Sequence, residues 1–294
     1  MSMTEHREAS PSTRSATKDT MVDPAWIAGL KRRRRNDKIK LHAGRAAMLL
    51  AILCFWQFLV GNPRTEPWTL LDEYYVSKPS QMWRALLNWI DQGVLLPNIG
   101  VTLQETLLGF LIGAILGGTV GFVVGTMTYL GNLLSPFISA LYAVPRLALV
   151  PLFMLWFGLG LGSKVAFVAM LVFFLVFYNT YSGAKDVDSD LLDTIRVLGA
   201  RRRHLHLKVI LPSALTWVFA GLRISVPYAL VGAVTAEMIS SNRGLGYLLI
   251  RASGQFDTAG VFASIVVMMC VALALNGLVV LLEHYLLRWK KRGR

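Results

Sequence analysis

The chain has 294 residues, of which 54% are hydrophobic and only 16% are charged. A soluble domain of this length needs more charge to cover its surface, so the composition indicates an integral membrane protein. The net charge of +13 does not indicate nucleic-acid binding, because no basic face with interleaved aromatic residues occurs. Instead, the basic runs Lys31–Arg35 and Arg288–Arg294 flank apolar segments, where they set topology or contact anionic lipid headgroups.

The N-terminal region differs in composition from the rest of the chain. Residues 1–44 are polar, rich in Ser and Thr and then basic, without an apolar core of a cleavable signal. We expect a disordered basic cytoplasmic tail there, followed by a transmembrane domain over residues 45–294. Cys54 and Cys270 lie inside apolar runs, so they are interpreted as small apolar residues rather than as disulfide partners or metal ligands.

Six segments are apolar enough to cross a bilayer, which requires about 20 residues. They are Ala46–Val60, Thr106–Met127, Leu134–Leu159, Val165–Tyr181, Leu215–Met238 and Ala259–Leu287. Three prolines and Arg146 interrupt the third segment. The predicted fold is therefore all-α, a polytopic membrane protein with about six transmembrane helices.

The distribution of Lys and Arg predicts the orientation of these spans. Basic residues concentrate in the N-terminal tail, in the connection Ser182–Ala214 and after Arg288, whereas the connections on the opposite side carry few. Under the positive-inside rule, both termini and the Ser182–Ala214 connection are cytoplasmic.

A ladder of glycines runs along the second predicted span. Its members recur at every fourth residue and share one helical face. They are Gly109, Gly113, Gly117, Gly121 and Gly125. Such a face lets another helix approach closely, within a bundle or a dimer. Because five glycines share the face, this interpretation is favoured over a general enrichment of glycine in membrane helices.

Catalytic and metal-binding patterns are not found. The segment Trp156–Lys164 is glycine-rich but lacks the Gly-Lys-Ser/Thr of a phosphate-binding loop, so a turn between spans is predicted. His204 and His206 are two residues apart and point about 200° away from each other on a helix, which prevents shared chelation. We therefore predict no enzymatic activity and no bound cofactor or metal in this chain.

The cytoplasmic segment Leu191–Pro212 has the pattern of a structured loop. Ser189 is a candidate N-cap among acidic residues, and Leu191, Ile195 and Leu198 form a short apolar stripe. Gly199 then indicates a helix stop, and Pro212 fits the first turn of the fifth span. The stripe is consistent either with docking of a partner protein or with an amphipathic helix on the membrane surface.

This segment resembles the cytoplasmic signature loop of ABC importer permeases. That loop reads Glu-Ala-Ala, three residues, Gly, nine residues, then Ile-x-Leu-Pro. Gly199 and the run Val209–Pro212 match in spacing, and Asp193-Thr194-Ile195 stands in place of Glu-Ala-Ala. Further stretches resemble the nitrate/sulfonate/taurine branch, and the similarity covers about Lys78 to Leu287. Those stretches are Pro151–Lys164, Tyr178–Ala200 and Ala220–Leu249.

The resemblance implies a permease subunit of an ATP-driven importer in a bacterial inner membrane, carrying an organic sulfonate, taurine or nitrate. It also implies two cytoplasmic ATPase subunits that bind the ATP, an extracytoplasmic substrate-binding protein and a homodimer of this chain in membrane lipid. The signature loop would be the ATPase-coupling helix. Its residues here would be Asp193, Ile195, Leu198, Gly199, Ala200, Val209, Leu211 and Pro212.

Charged residues within spans are costly and usually functional, so Arg146, Arg223 and Glu237 are the candidate residues of the pathway. An alternative is that Arg223 reaches headgroups or pairs, and that Arg146 meets a helix C-terminus. Two other functions stay open at this point. They are an ATP-independent secondary transporter or channel, and a membrane anchor or scaffold.

Overall fold

A computed structural model describes residues 24–61, 69–186, 197 and 210–286. Over these residues the elements are α1 (Pro24–Leu59), β1 (Val60–Gly61), β2 (Leu71–Asp72), α2 (Pro79–Asp91), α3 (Leu95–Thr126), α4 (Thr128–Ala143), a 3-10 helix (Arg146–Leu149), α5 (Val150–Phe157), α6 (Leu161–Lys185), α7 (Leu211–Ser240), α8 (Leu245–Gly254) and α9 (Thr258–Leu286). The chain divides into two compact units, Met1–Phe55 and Trp56–Arg294.

The predicted all-α membrane fold is confirmed. Within the described ranges, five helices are long and apolar enough to cross a membrane. They are Ile39–Leu59, Leu95–Thr126, Leu161–Lys185, Ser213–Ser240 and Thr258–Tyr285. The described strands are limited to two residues each, which pair in parallel. Helices α3 and α6 extend beyond their predicted spans at the N-terminal end, because their polar first turns find partners inside the protein.

The first unit departs from the predicted tail. Helix α1 begins at Pro24 and continues without a break into the first span, so residues 24–44 are helical rather than disordered. Alanine, leucine, lysine and arginine are strong helix formers, and proline is favoured at a helix start. The charges keep this part out of the hydrocarbon but do not prevent a helix. From Asn36 to Phe55 every side chain that the structure describes is exposed.

The third predicted span, Leu134–Leu159, is not one helix. It is divided into α4, the 3-10 helix and α5, with extended backbone at Val144. Pro145 disfavours helical geometry at Val144, and Pro151 fits the first turn of α5. Pro136 lies inside α4 without ending it. This break places Arg146 at a corner of the chain.

The glycine ladder packs against α6 within the same chain, which confirms the predicted helix contact. A methyl group at Gly109 would lie 2.5 Å from Val168 Cβ, and one at Gly125 would lie 2.7 Å from Ala184 Cβ. At the intermediate positions the near atoms belong largely to the α6 backbone. Residues with side chains would therefore push the two helices apart.

Helix α7 connects this pair to the remaining helices. Val168, Val172 and Val176 of α6 pack against Ala229 and Ala233 of α7. On its other face, α7 joins α8 and α9 in the largest apolar cluster. The core members of that cluster are Leu95, Val226, Leu230, Val234, Leu245, Leu248, Val267, Val271, Leu275 and Val279. The two-sided packing of α7 makes it the central helix of the second unit.

Candidate functional site

Arg146 lies beside a cavity between the broken segment and helices α6 and α7. Its guanidinium carbon is 5.4 Å from the centre of the Phe174 ring, a distance at which a cation is attracted to an aromatic face. The cavity has a volume of about 310 Å³. Its lining consists of Val144, Arg146, Leu147, Leu171, Leu175, Tyr228 and Val231. One cation and one phenol in an otherwise apolar wall suit a small ligand with an anionic or polar head.

Arg223, the second predicted pathway residue, lies elsewhere. Its guanidinium donates a hydrogen bond to the Glu283 carboxylate, joining α7 to α9. Half of the Arg223 side chain is exposed. The pairing that was considered as an alternative for this residue is therefore present, and Arg223 does not line the cavity beside Arg146.

Glu237, the third predicted pathway residue, is buried inside the helix bundle with 1% of its surface exposed. The Thr102 hydroxyl of α3 donates to Glu237 Oε1 over 2.6 Å. The Gly246 backbone N–H of α8 donates to Glu237 Oε2 over 2.7 Å. Glu237 therefore joins three helices and is shielded from the outer surface.

The start of α8 is held by side chains from other helices. Gly244 N–H donates to Asn98 Oδ1 over 2.6 Å, and Leu245 N–H donates to Thr102 Oγ1 over 2.8 Å. Together with the bond from Gly246, three successive N–H groups of the first turn are satisfied. Gly244 has a φ of 110°, and a Cβ there would collide with the Glu237 carboxyl group. Glycine is thus required at this position.

A buried ion pair continues the same network. Lys164 Nζ donates to Glu105 Oε1 over 2.9 Å and to Ser241 Oγ over 2.7 Å. The side chains of Lys164 and Glu105 are only 7% and 2% exposed. The Ser241 hydroxyl in turn donates to the Arg243 carbonyl. We refer to Asn98, Thr102, Glu105, Lys164, Glu237 and Ser241 as the polar cluster.

Most of the polar cluster was missed by the sequence analysis. Glu105 and Lys164 were assigned to connections because each borders an apolar run, and their pairing links positions 59 residues apart. The available signal was a charged residue directly at the start of each apolar run, because charges next to hydrocarbon are costly. That signal marks each residue but does not identify its partner.

The predicted coupling loop lies largely outside the described residues, which exclude 187–196 and 198–209. Asp193, Ile195, Leu198, Gly199, Ala200 and Val209 are among those excluded. Helix α7 begins at Leu211 with Pro212 in its first turn, as predicted. Ile210 is buried against Ala184 and Ala214. The ends of α6 and α7 therefore pack together where this loop begins and ends.

The sequence from residue 93 to 288 matches the family of binding-protein-dependent transport system inner membrane components. The chain belongs to this family. The match covers more than half of the chain and includes α3 to α9 as well as the predicted coupling loop. With five apolar helices long enough to span a bilayer, the permease is a multi-pass inner-membrane protein.

Three relatives differ in the solute for which they are named. The permease is 38% identical over 157 residues to the formylaminopyrimidine transport permease protein ThiX of Halalkalibacterium halodurans, covering 53% of this chain and 63% of ThiX. It is 37% identical over 198 residues to Bacillus subtilis SsuC, named for aliphatic sulfonates transport, covering 67% and 72%. It is 36% identical over 247 residues to the riboflavin transport system permease protein RibX of Chloroflexus aurantiacus, covering 84% and 90%.

The fold of the permease is also similar to that of a solved transporter. A chain of the inward-facing MetNI methionine ABC transporter matches with a TM-score of 0.57 and 15% identity, covering 65% of this chain and 95% of that chain. At this level of identity the similarity concerns the fold alone.

Proposed function

We propose that this chain is the membrane-spanning subunit of an ATP-driven importer and that it forms the pathway for a small solute. The family match over residues 93–288 carries the proposal. It favours an importer subunit over a secondary transporter, a channel or a scaffold. ATP is bound and hydrolysed by two cytoplasmic partner subunits, two copies of the permease surround the pathway, and an extracytoplasmic binding protein delivers the solute.

The cavity beside Arg146 is our candidate for part of that pathway. Among the three charged residues predicted from the sequence, Arg223 is paired with Glu283 and Glu237 is buried in the polar cluster. Arg146 instead lies at the wall of a cavity large enough for a small organic ion. A guanidinium group binds sulfonate and carboxylate groups through paired N–H donors. We therefore favour an anionic solute, such as an organic sulfonate, taurine or nitrate, and SsuC is named for a solute of this kind.

The test compares Arg146→Gln with Arg84→Gln in the complete transporter, reconstituted in vesicles with its ATPase and binding protein. Arg84 is an exposed residue of α2 and serves as the matched control. We expect uptake of a bound sulfonate to fall at least tenfold for Arg146→Gln and to stay near wild type for Arg84→Gln. Equal uptake by both variants would contradict a role of Arg146 in the pathway.

The coupling loop is proposed to transmit ATPase motion to the spans. Asp193 would start its helix, Gly199 would make the turn, and Pro212 would join the loop to α7. Because the ends of α6 and α7 pack together at Ile210, a displaced loop would move both spans. We expect deletion of residues 188–208 to abolish co-purification of the ATPase while the permease still inserts in the membrane. Substitution Gly199→Val is expected to uncouple ATP hydrolysis from uptake, and normal uptake by this variant would contradict the proposed turn.

The same proposal includes the orientation of the spans in the membrane, which is based on the distribution of Lys and Arg along the chain. Both termini and the coupling loop are cytoplasmic, which places the polar cluster and α8 at the extracytoplasmic end of the spans. Labelling of single cysteines by a membrane-impermeant reagent in intact cells tests this. A cysteine at Asp91 should react, whereas a cysteine at Arg288 should react only after lysis.

A further inference from the structure

Helix α2 has three distinct faces, although it is only 13 residues long. Its inner face carries the buried Met82 together with Leu86 and Trp89, which pack against the apolar core of the bundle. Its polar face carries Arg84, Asn88 and Asp91, which are all exposed. These two faces account for the contacts that a surface helix of a soluble protein requires.

The third face of α2 is apolar and uncovered. Trp83, Leu87 and Ile90 follow one another at spacings of four and three residues, so they form one stripe along the helix. Their exposed fractions are 62%, 41% and 52%. Three large apolar side chains in a row, between a core face and a water face, indicate a further contact.

Both ends of α2 lie at the level where membrane spans end. At its first turn, the Ser80 N–H donates to Gln57 Oε1 over 3.1 Å, and Gln57 Nε2 donates to Ser80 Oγ over 3.0 Å. Gln57 lies two residues before the end of the span Ile39–Leu59. At its other end, α2 is followed within four residues by Leu95, the first residue of the span Leu95–Thr126. A helix about 20 Å long, fixed at this level at both ends, runs along the membrane surface.

Other exposed aromatic residues lie at the same level. The Tyr74 and Phe256 rings are stacked with their centres 6.3 Å apart. The Thr258 hydroxyl, at the first residue of the span in α9, donates to the Tyr74 carbonyl over 2.6 Å. Exposed aromatic side chains at the ends of spans are typical of a membrane–water interface.

We propose that α2 is an interfacial helix whose Trp83, Leu87 and Ile90 side chains contact the acyl chains and headgroup boundary of membrane lipid. Leu96, on the first turn of the membrane-spanning helix α3, is a further large apolar side chain that is exposed. The polar face then points to water and the inner face packs on the bundle. This arrangement is that of an amphipathic helix lying in the plane of the interface.

Adjacent residues on different faces of α2 provide the test. Cys54 and Cys270 are both free and exposed, so they are first replaced by alanine. Single cysteines at Leu87 and Asn88 are then labelled with a nitroxide in the full-length protein, reconstituted in phosphatidylcholine vesicles. Collision rates with oxygen, which partitions into lipid, and with a water-soluble nickel chelate are measured by electron paramagnetic resonance.

We expect the oxygen collision rate to exceed the nickel collision rate for Leu87→Cys and Trp83→Cys. We expect the nickel collision rate to be the higher one for Asn88→Cys and Arg84→Cys. A higher nickel rate at both 87 and 88 would place the stripe in water and overturn the proposal. Low rates for both reagents at 87, with an immobilised spectrum, would show that a second copy or another protein covers the stripe, which would also overturn it.

A second measurement does not depend on the labels. Acyl chains brominated near the headgroup should quench the tryptophan fluorescence of the wild-type protein more than that of Trp83→Phe. Equal quenching of the two proteins would contradict lipid contact at this residue even if all the cysteine variants failed to fold.

Discussion

Helix α3 contacts its neighbours in two different ways along its length. From Gly109 to Gly125 it has no side chains on one face and approaches the α6 backbone directly. In its first three turns it uses Asn98, Thr102 and Glu105 to reach α6, α7 and α8 through hydrogen bonds and an ion pair. The glycine contact depends on shape, so an added side-chain atom disrupts it. The polar contact depends on matched hydrogen-bonding and charged partners, so the removal of one partner disrupts it.

The largest effect is expected from breaking the ion pair on one side. Lys164→Met leaves the Glu105 carboxylate buried without its cation, and removal of one partner of a buried pair typically costs about 3–5 kcal/mol. We expect a loss of this size in the free energy of unfolding, measured by denaturant titration in mixed micelles. The double variant Glu105→Met with Lys164→Met removes both charges of the pair and should recover most of the loss. A double variant as unstable as the single one would show that packing, not charge, dominates here.

The glycine face should respond to a single added methyl group. An alanine Cβ at Gly117 would lie 2.6 Å from the Phe173 carbonyl oxygen, whereas one at Gly118 would have its nearest neighbour at 4.0 Å. We expect Gly117→Ala to destabilise the protein by about 1–3 kcal/mol. The neighbouring Gly118→Ala should be neutral or stabilising by up to about 1 kcal/mol. The same unfolding titration measures both, and equal effects would contradict the close approach.

An effect of similar size is expected from one hydroxyl group of the polar cluster. Thr102→Val keeps the shape of the side chain but removes the acceptor of the Leu245 N–H and the donor to Glu237. We expect a loss of about 1–3 kcal/mol, typical of leaving a buried polar group unsatisfied. Thr119→Val on the same helix is the control, because Thr119 is exposed and bonds only to its own helix. Hydrogen exchange at the first turn of α8 should increase for Thr102→Val alone.

The two kinds of contact also differ in how far the sequence predicts them. The glycines repeat at every fourth residue within one segment, so their spacing predicts both that they share a helix face and that this face packs closely on another helix. The polar cluster draws its members from three helices and from Ser241, the residue after α7, and no periodicity relates Glu105 to Lys164 or Thr102 to Glu237. The break at Val144 was indicated by its prolines, but a hydropathy window averages across such a break and merges α4 with α5.

The interpretation of charged residues was the other source of error in the predictions from sequence. In residues 24–44 the basic side chains were interpreted as a sign of disorder, whereas they are also good helix formers and α1 continues through them. At Glu105 and Lys164 the charges were interpreted as the edges of connections, whereas each lies in a helix and neutralises the other. In both places a charged residue indicates contact with water or with an oppositely charged partner, and it does not indicate the end of a helix.

The hydrogen bonds at the start of α8 also have a consequence for biosynthesis. Glu105 and Lys164 can pair once α6 has been made, but Asn98 and Thr102 find their partners 146 and 143 residues later, at Gly244 and Leu245. At about 5–20 residues per second, a ribosome needs on the order of ten seconds to deliver them. During that interval the nascent chain exposes unsatisfied polar groups at one end of α3. Membrane-bound chaperones and proteases that recognise such groups could therefore distinguish an unfinished or truncated chain from a complete one.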